Sequence, residues 1–256
     1  MRSLRRSGAS GSAPPISAAR RCPVPPSMSL SIVIPVFNER ESILQVLDRI
    51  KTCGLSPVEI VVVDDGSSDG TRDVLAAAAE SGAIRFVAHD RNRGKGAAVA
   101  TGIARATGEI VAIQDADLEY DPRDLPSLVA PIVEDRADVV FGTRFAGGKA
   151  RSVAYLRHRW ANWLLTALSN FCSDLALTDM ECGYKAFRRS LLLDIEIEEP
   201  SFGFEPEITA KIAKKRPRVY EVAVSYHGRT FAEGKKISWK DGLRAIYAIV
   251  KYNLFR

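Results

Sequence analysis

The sequence has few of the residues that bind zinc or form disulfide scaffolds. Its 256 residues include three histidines and four cysteines, and the cysteines are Cys22, Cys53, Cys172 and Cys182. No two of these form a CxxC pair, and no histidine lies at ligand spacing from them. Neither a zinc site nor a disulfide framework is therefore predicted, and reduced thiols in a cytoplasmic setting are expected.

Long apolar runs are missing as well. A membrane-spanning helix needs about 20 consecutive apolar residues, and the runs in this chain are far shorter. We therefore expect a cytoplasmic protein that is at most peripheral on the cytoplasmic face of a membrane. The net charge of +5 is only mildly basic. It suits a phosphate or an anionic membrane surface as well as an ordinary solvated surface, and no nucleic-acid partner is predicted.

Acidic residues are absent from the first part of the chain. Residues 1–27 are rich in Arg, Ser, Ala and Pro, and the first acidic residue is Glu39. Such a segment cannot form a core and is expected to be disordered. It fits either a transit peptide or an overlong start, and the second is preferred because Met28 immediately precedes the ordered pattern.

From residue 29 onward, short apolar strands alternate with helices of about a dozen residues. The predicted strands are 30–37, 58–64, 84–88, 109–114 and 138–142. The predicted helices are 39–52, 70–81, 95–106 and 123–135. Such alternation indicates an α/β fold with a mostly parallel central sheet and helices on both faces. The second half is less regular, with a helix at 153–171, a strand at 218–225 and an amphipathic helix from about 239.

Acidic residues follow three of the predicted strands, where ligands bind in an open parallel sheet. They are Glu39, the pair Asp64 and Asp65, and the series Asp115, Asp117 and Glu119. Asp115 and Asp117 point the same way in extended backbone, and Glu119 continues the spacing if the chain stays extended. Hard oxygen ligands at one edge suit Mg²⁺ or Mn²⁺. The alternative is a polar loop with an aspartate that caps a helix.

Two turns carry further candidates. The segment 64–67 ends a strand and opens a helix, so a carboxylate there could bind a nucleobase edge or ribose hydroxyls, or it could form a capped turn. The segment 91–96 places basic residues at a helix N-terminus, which can meet a phosphate or a sugar. It matches neither the P-loop nor GxGxxG, and an ordinary turn is the alternative.

Taken in order, these segments resemble the signature blocks of glycosyltransferase family 2. The blocks are IPVFNE at 34–39, VDDGSSDGT at 63–71, GKG at 94–96 and QDADLE at 114–119. The last block, with GTR at 142–144 and GYKAF at 183–187, resembles the branch of dolichol-phosphate and polyprenol-phosphate mannose and glucose synthases. The resemblance covers about residues 29–236.

The resemblance implies a GT-A catalytic domain at 28–236, a divalent metal, and inversion at the anomeric carbon. GDP-mannose is the first expected donor and UDP-glucose the second. The implied nucleotide-sugar residues are Pro35, Phe37, Glu39, Asp64, Asp65, Lys95, Asp115 and Ala116. Asp117 and Glu119 are the implied metal ligands, and Glu119 departs from the Gln that many members have.

The implied acceptor is a polyprenyl or dolichyl phosphate. The residues expected to hold its phosphate are Arg144, Arg159, Asp179, Arg229 and Lys235. Asp117, Arg144, Arg229 and Lys235 are the expected catalytic residues. A phosphate monoester is already ionised at neutral pH, because its second pKa is about 6, and it needs no general base. The first alternative is a glycosyltransferase of the same fold that acts on a sugar or protein hydroxyl. Such an acceptor would need a general base, and Asp179 and Glu205 are the candidates.

Many relatives have transmembrane helices after this domain, and this sequence shows none. Two helices, 153–171 and the C-terminal helix within 237–256, combine aromatic and basic residues, which is typical of binding at a membrane surface. Peripheral membrane contact or a membrane-anchoring partner subunit would fit. The alternative is packing of these faces onto the sheet, and it is preferred for 153–171, with Trp160 and Trp163 on the packed stripe.

Two other functions can be compared with glycosyl transfer to a lipid phosphate. A nucleotidyltransferase also combines an α/β sheet with acidic metal ligands, but a Gly-rich basic loop is expected right after its first strand, where this chain has 35–39. A non-catalytic sugar-binding module does not need so many acidic strand ends. Both are therefore disfavoured.

Overall fold

A computed structural model describes residues 28–56, 58–147, 156–229 and 239–256. The strands in these ranges are β1 (Leu30–Val36), β2 (Val58–Asp64), β3 (Arg85–Ala88), β4 (Ile110–Ile113), β5 (Val139–Thr143), β6 (Lys185–Arg188) and β7 (Val219–Ala223). The helices are α1 (Ile43–Thr52), α2 (Thr71–Glu80), α3 (Lys95–Arg105), α4 (Leu125–Val133), α5 (Leu156–Ser173), α6 (Arg189–Leu192), α7 (Phe204–Lys214) and α8 (Trp239–Val250). A π-helical turn, Lys251–Phe255, continues α8. The predicted extension 1–27 lies outside the described residues.

The seven strands form one sheet in the order β3-β2-β1-β4-β6-β5-β7. Every neighbouring pair is parallel except the two that involve β6, which runs antiparallel to β4 and β5. The predicted α/β class with a mostly parallel sheet is confirmed. The sequence did not predict β6, because its residues were recognised as a motif and not as a strand.

Each face of the sheet carries its own apolar core, because successive side chains of a strand point to opposite faces. On one face, Ile32 and Ile34 of β1 pack in a cluster with Val46 and Leu47 of α1. On the other, Val33 lies in a cluster with Val99 of α3. The predicted arrangement, with helices on both faces, is confirmed.

The orientation of α5 differs from the prediction. Its apolar stripe faces solvent: Trp160 and Trp163 are 63% and 60% exposed. The face turned inward carries Leu165 and Leu168, which pack against an apolar core cluster. It also carries polar residues that bond to the following loop, including Thr166, whose hydroxyl accepts the Met180 backbone N–H at 3.2 Å. The packing interpretation for 153–171 is therefore wrong for most of the predicted stripe, with Leu168 as an exception. No described helix is both long enough and apolar enough to cross a bilayer.

Candidate active site

The polar segments that follow the strands meet at one edge of the sheet. β1, β2, β4, β5 and β7 are mutually parallel, so their carboxyl ends lie together. β6 runs the opposite way and begins at the same edge. The segments after β1, β2, β4, β5 and β7 and the segment before β6 therefore surround one region, where ligands bind in open α/β sheets.

Asp115, the first acidic residue after β4, forms an ion pair with Lys95 at the start of α3. The Lys95 Nζ atom lies 2.9 Å from Asp115 Oδ1 and 3.0 Å from Glu205 Oε1. Burial disfavours the charged lysine, but the two carboxylates outweigh burial and hold the pKa of Lys95 above its ordinary value. Gly183 is needed beside this pair, because a Cβ there would collide with the Asp115 carboxylate.

Asp117 and Glu119 lie on a turn rather than on extended chain. Leu118 has a φ of +61°, and Asp117 Oδ1 accepts the Glu119 backbone N–H at 3.1 Å. The chain does not stay extended here, so the condition under which Glu119 would continue the spacing is not met, although Glu119 remains close to Asp117. Burial, Asp115 and Glu119 together raise the pKa of Asp117 to about 7. Negative charge is thus concentrated at this point.

The chemistry of the acidic turn suits a hard divalent cation. In the part of the chain that the structure describes, no group of three or more His, Cys, Asp or Glu side chains is placed so that it could hold a metal ion. However, the crowding of Asp115 and Glu119 around Asp117 destabilises the ionised form of that carboxylate, and a cation would relieve this. Carboxylate oxygens are the ligands that Mg²⁺ and Mn²⁺ prefer, with remaining positions open to water or phosphate.

The segment after β7 connects the end of β1 to the acidic turn. Arg229 donates from both terminal nitrogens to the Glu39 carboxylate, each at 2.8 Å, and from one of them to the Asp117 carbonyl at 2.7 Å. Its backbone N–H and the Tyr226 hydroxyl bond to the two Glu119 carboxylate oxygens at 2.7 and 3.0 Å. Arg229, predicted as a phosphate ligand, is here paired with Glu39. Lys235 lies outside the described residues.

Arg144, which follows β5, is held by Asp179. Its Nε and Nη2 atoms donate to the two oxygens of that carboxylate, each at 2.7 Å, and its backbone N–H donates at 3.0 Å. Asn162 of α5 bonds to both residues at 3.1 Å. The Arg144 guanidinium also lies over the Tyr226 ring. Arg159 is exposed and adjoins this group through Phe145, because the guanidinium groups of Arg144 and Arg159 both lie over that ring.

The two carboxylates at the end of β2 are both engaged within the protein. Asp64 accepts the Ser67 backbone N–H at 3.1 Å and Arg72 Nε at 2.9 Å. Asp65 accepts the backbone N–H groups of Arg93 and Gly94 at 2.9 and 2.7 Å. Asp65 thereby fixes the turn that leads into Lys95. A cleft of about 450 Å³, lined by residues 88–91 and 93, opens beside this turn.

The remaining predicted residues lie at the end of β1 and in the acidic turn. Pro35 and Phe37 are half-buried. Ala116 is buried, and its carbonyl accepts the Ser42 hydroxyl at 2.8 Å. This hydrogen bond joins the start of α1 to the acidic turn. Pro35, Phe37 and Ala116 thus lie at the edge of the sheet where the sequence predicted them.

Glu181 belongs to the same region, and sequence reasoning missed it. Its Oε1 atom is buried and has no hydrogen-bond partner among the residues that the structure describes. Burial, and after it the charge of Glu205, raises the pKa of Glu181 to about 8. The only signal in the sequence is its position between Asp179 and Gly183. No strand-end pattern marks it, because it precedes an antiparallel strand.

Glu181→Gln is expected to stabilise the protein at alkaline pH. A carboxyl whose pKa is raised in the folded state lowers stability as pH rises from its unfolded value, near 4.5, through about 8. The variant removes this penalty, so its unfolding free energy should exceed that of the parent by roughly 1 kcal/mol or more at pH 9, and by little at pH 4. Urea unfolding at both pH values measures the difference. Glu134→Gln, on the surface, is the control; an equal gain at pH 4 would contradict the explanation.

A family model described as "Glycosyl transferase family 2" matches residues 31–195. The chain is 31% identical over 216 residues to a dodecaprenyl-phosphate galacturonate synthase of Rhizobium johnstonii, covering 82% of this chain and 62% of that protein. It is 34% identical over 211 residues to an undecaprenyl-phosphate 4-deoxy-4-formamido-L-arabinose transferase of Sodalis glossinidius, covering 80% and 62%. A dolichol-phosphate mannosyltransferase of Pyrococcus furiosus is 29% identical, covering 88% and 64%. The chain thus spans about 62% of the length of the first two relatives.

Solved structures show the same fold. Glucosyl-3-phosphoglycerate synthase from Mycobacterium tuberculosis in complex with UDP has a TM-score of 0.70 at 22% identity, covering 90% of this chain and 81% of that one. The same enzyme with Mn²⁺, UDP and phosphoglyceric acid has a TM-score of 0.69 at 21% identity, covering 91% and 81%. The predicted GT-A type fold is confirmed.

Proposed function

This chain belongs to glycosyltransferase family 2, and we propose that it transfers a hexose from a nucleotide-diphosphate sugar to a polyprenyl or dolichyl phosphate, with inversion at the anomeric carbon. Mannose from GDP-mannose is the preferred donor sugar and glucose from UDP-glucose the second. Relatives named for polyprenyl-phosphate substrates support the acceptor class. Because those relatives carry different sugars in their names, the sugar has to be found by experiment.

The proposal of a phosphate acceptor is supported by the contacts and burial of the two candidate bases, Asp179 and Glu205. Both oxygens of Asp179 accept hydrogen bonds from Arg144, and the residue is fully buried. One oxygen of the Glu205 carboxylate forms an ion pair with Lys95, and its other oxygen is buried. Neither carboxylate is presented to an incoming hydroxyl. A phosphate monoester attacks already ionised, so it needs no base and is the acceptor that suits this arrangement.

The chain's own residues have three tasks in this mechanism. Asp117 and Glu119 would hold a divalent metal, which when bound stabilises the charge of the nucleoside diphosphate leaving group. Lys95, fixed by two carboxylates, places a positive charge beside the donor. Arg144, fixed by Asp179, presents a guanidinium to the acceptor phosphate. Two anionic substrates are thereby oriented against each other by cations that are already in place.

The proposal is tested by direct transfer. Purified chain is incubated with radiolabelled GDP-mannose, UDP-glucose and UDP-galacturonate, each with a short-chain polyprenyl phosphate and, separately, with polyprenol and soluble sugars, in Mn²⁺ or in EDTA. We expect a lipid-linked product from one donor, only with the phosphorylated lipid and only with metal. Transfer to polyprenol or a soluble sugar, and not to polyprenyl phosphate, would overturn the acceptor class.

An exposed apolar surface supports access to a lipid acceptor. It consists of α5 and α8, which pack against each other, and their side chains that face solvent. These are Leu156, Trp160, Trp163, Leu164 and Phe171 of α5, and Leu243, Ile246 and Tyr247 of α8. Arg159 and Lys240 are exposed on the same helices. Aromatic and basic residues on one face suit the interface of an anionic bilayer, and Asn162 of α5 reaches Arg144 at the site.

Replacing Trp160 and Trp163 together by Ser is expected to weaken binding to vesicles that contain anionic lipid by about tenfold or more, because two large exposed side chains lose their contact with the interface. Transfer to a water-soluble short-chain polyprenyl phosphate should be unchanged. Vesicle sedimentation and the transfer assay measure the two effects. Leu193→Ala, which removes an apolar side chain 63% exposed elsewhere, is the control. Unchanged vesicle binding would point to a membrane-anchoring partner protein instead.

A further inference from the structure

Glu199 is a buried carboxylate that the mechanism above does not use. It lies between α6 and α7, and the residue is 2% exposed. Its Oε2 atom forms an ion pair with Arg244 of α8, at 2.9 Å from Nε and 2.6 Å from Nη2. Its Oε1 atom accepts the Tyr252 hydroxyl at 3.0 Å. Glu199 therefore binds both α8 and the π-helical turn that continues it.

The backbone around Glu199 packs directly against the turn that carries Lys95. A Cβ at Gly96 would collide with the Glu199 carbonyl, and a Cβ at Gly94 would collide with the Pro200 carbonyl. The Pro200 carbonyl also accepts the Ala97 backbone N–H at 3.1 Å. The two glycines on either side of Lys95 are thus required by the path of residues 199 and 200. Any shift of that path moves Lys95.

The same carboxylate fixes the start of α7, which carries the other partner of Lys95. A Cβ at Gly203 would lie 2.7 Å from Glu199 Oε2, so the helix begins in contact with this side chain. Glu207 of α7 accepts the backbone N–H groups of Glu198 and Glu199, each at 2.7 Å. Glu205, on the first turn of the helix, is held between these contacts.

We propose that Glu199 is a positioning residue, which sets Lys95 between Asp115 and Glu205 and so makes the C-terminal helix part of the donor site. The predicted effect of Glu199 on the KM for the donor rests on the proposed function. The physical reason is that Glu199 reaches both sides of Lys95: the turn that precedes α3 through residues 199 and 200, and the first turn of α7 through Gly203. Arg244 and Tyr252 hold the carboxylate from the far side.

The experiment compares Glu199→Gln and Tyr252→Phe with the unmodified chain. Both variants keep side-chain size and weaken the tie to α8. We expect the KM for the nucleotide sugar to rise about tenfold, with a smaller change in kcat, because a displaced Lys95 weakens donor binding. Hydrogen exchange without substrate should become faster at the Ala97 amide, which is bonded to Pro200. Glu198→Gln is the matched control: it contacts Lys211 and Lys251 but does not touch Gly203 or Tyr252.

A double-mutant cycle separates positioning from a general loss of structure. If Glu199 acts through Lys95, then Glu199→Gln should raise the donor KM no further in a Lys95→Met background. An equal rise in both backgrounds, or unchanged exchange at Ala97 in both variants, would overturn the proposal. Absence of transfer by the unmodified chain would instead count against the proposed function, and the exchange experiment would still decide the structural coupling.

Discussion

Replacing Asp117 with Ala is expected to abolish sugar transfer while leaving the fold intact. Burial, and after it the charges of Asp115 and Glu119, raise the pKa of Asp117, so its ionised form is disfavoured in the folded protein. Its removal should therefore cost little stability, although the hydrogen bond from the Glu119 backbone N–H is lost. Asp117 is the centre of the proposed metal site, so turnover should fall by at least about 10² to 10³ fold.

Three measurements check this expectation together. Transfer is assayed with the preferred donor in Mn²⁺, thermal unfolding monitors the fold, and calorimetry measures binding of Mn²⁺ with the nucleoside diphosphate. Asp135→Asn, which replaces an exposed carboxylate paired with Arg188 and Arg218, is the control and should retain activity. If Asp117→Ala kept metal-dependent transfer at the parental rate, the acidic turn would not be the metal site.

The part of the fold that the sequence predicted is the part set by local pattern. All four apolar positions predicted for α1, at 43, 46, 47 and 50, are buried. The strands from β1 to β5 were predicted to within one residue at each end, because buried parallel strands are nearly continuous apolar runs. The acidic segments could then be placed at one edge, since parallel strands end together.

The elements that were missed have charged residues in the core. β6 contains Lys185, which is fully buried and donates from Nζ to the carbonyls of Met180 and Cys182. α7 buries both Glu205 and Glu207, so it lacks the polar face that marks an amphipathic helix. Glu205 is compensated by Lys95 of α3, which is distant in sequence, whereas Lys185 and Glu207 bond to backbone groups and a lysine within nine residues. A local pattern of hydrophobic residues does not identify such partners.

The contacts within the site were beyond prediction for the same reason. Asp65 was predicted to bind nucleotide, and its oxygens are bonded to the turn at 93–94. Arg229 was predicted to bind phosphate, and it pairs with Glu39. The position of a motif predicts the edge of the sheet at which a residue lies. It does not predict the atoms that the residue contacts, because these depend on the path of the loops.

Asp179→Asn is expected to impair use of the acceptor far more than the chemical step. Asp179 holds Arg144 through two side-chain hydrogen bonds and a backbone hydrogen bond. Loss of its charge frees the guanidinium to move, and the KM for polyprenyl phosphate should rise by about 10 to 100 fold. Arg144→Lys should do the same, because an ammonium cannot reproduce the two-pronged geometry. Arg136→Lys, which precedes β5 and pairs with Glu134, is the control.

The same pair of variants decides between the two acceptor chemistries. If Asp179 serves only to hold Arg144, the double variant should be little worse than either single variant, since both changes disable one unit. If Asp179 instead removes a proton from a hydroxyl, Asp179→Asn should lower kcat by several decades and Arg144→Lys should not. The geometry of the Asp179 carboxylate favours the first outcome, because it is buried and both its oxygens already accept hydrogen bonds from Arg144. A fall in kcat confined to Asp179→Asn would therefore replace the lipid phosphate with a hydroxyl as the acceptor.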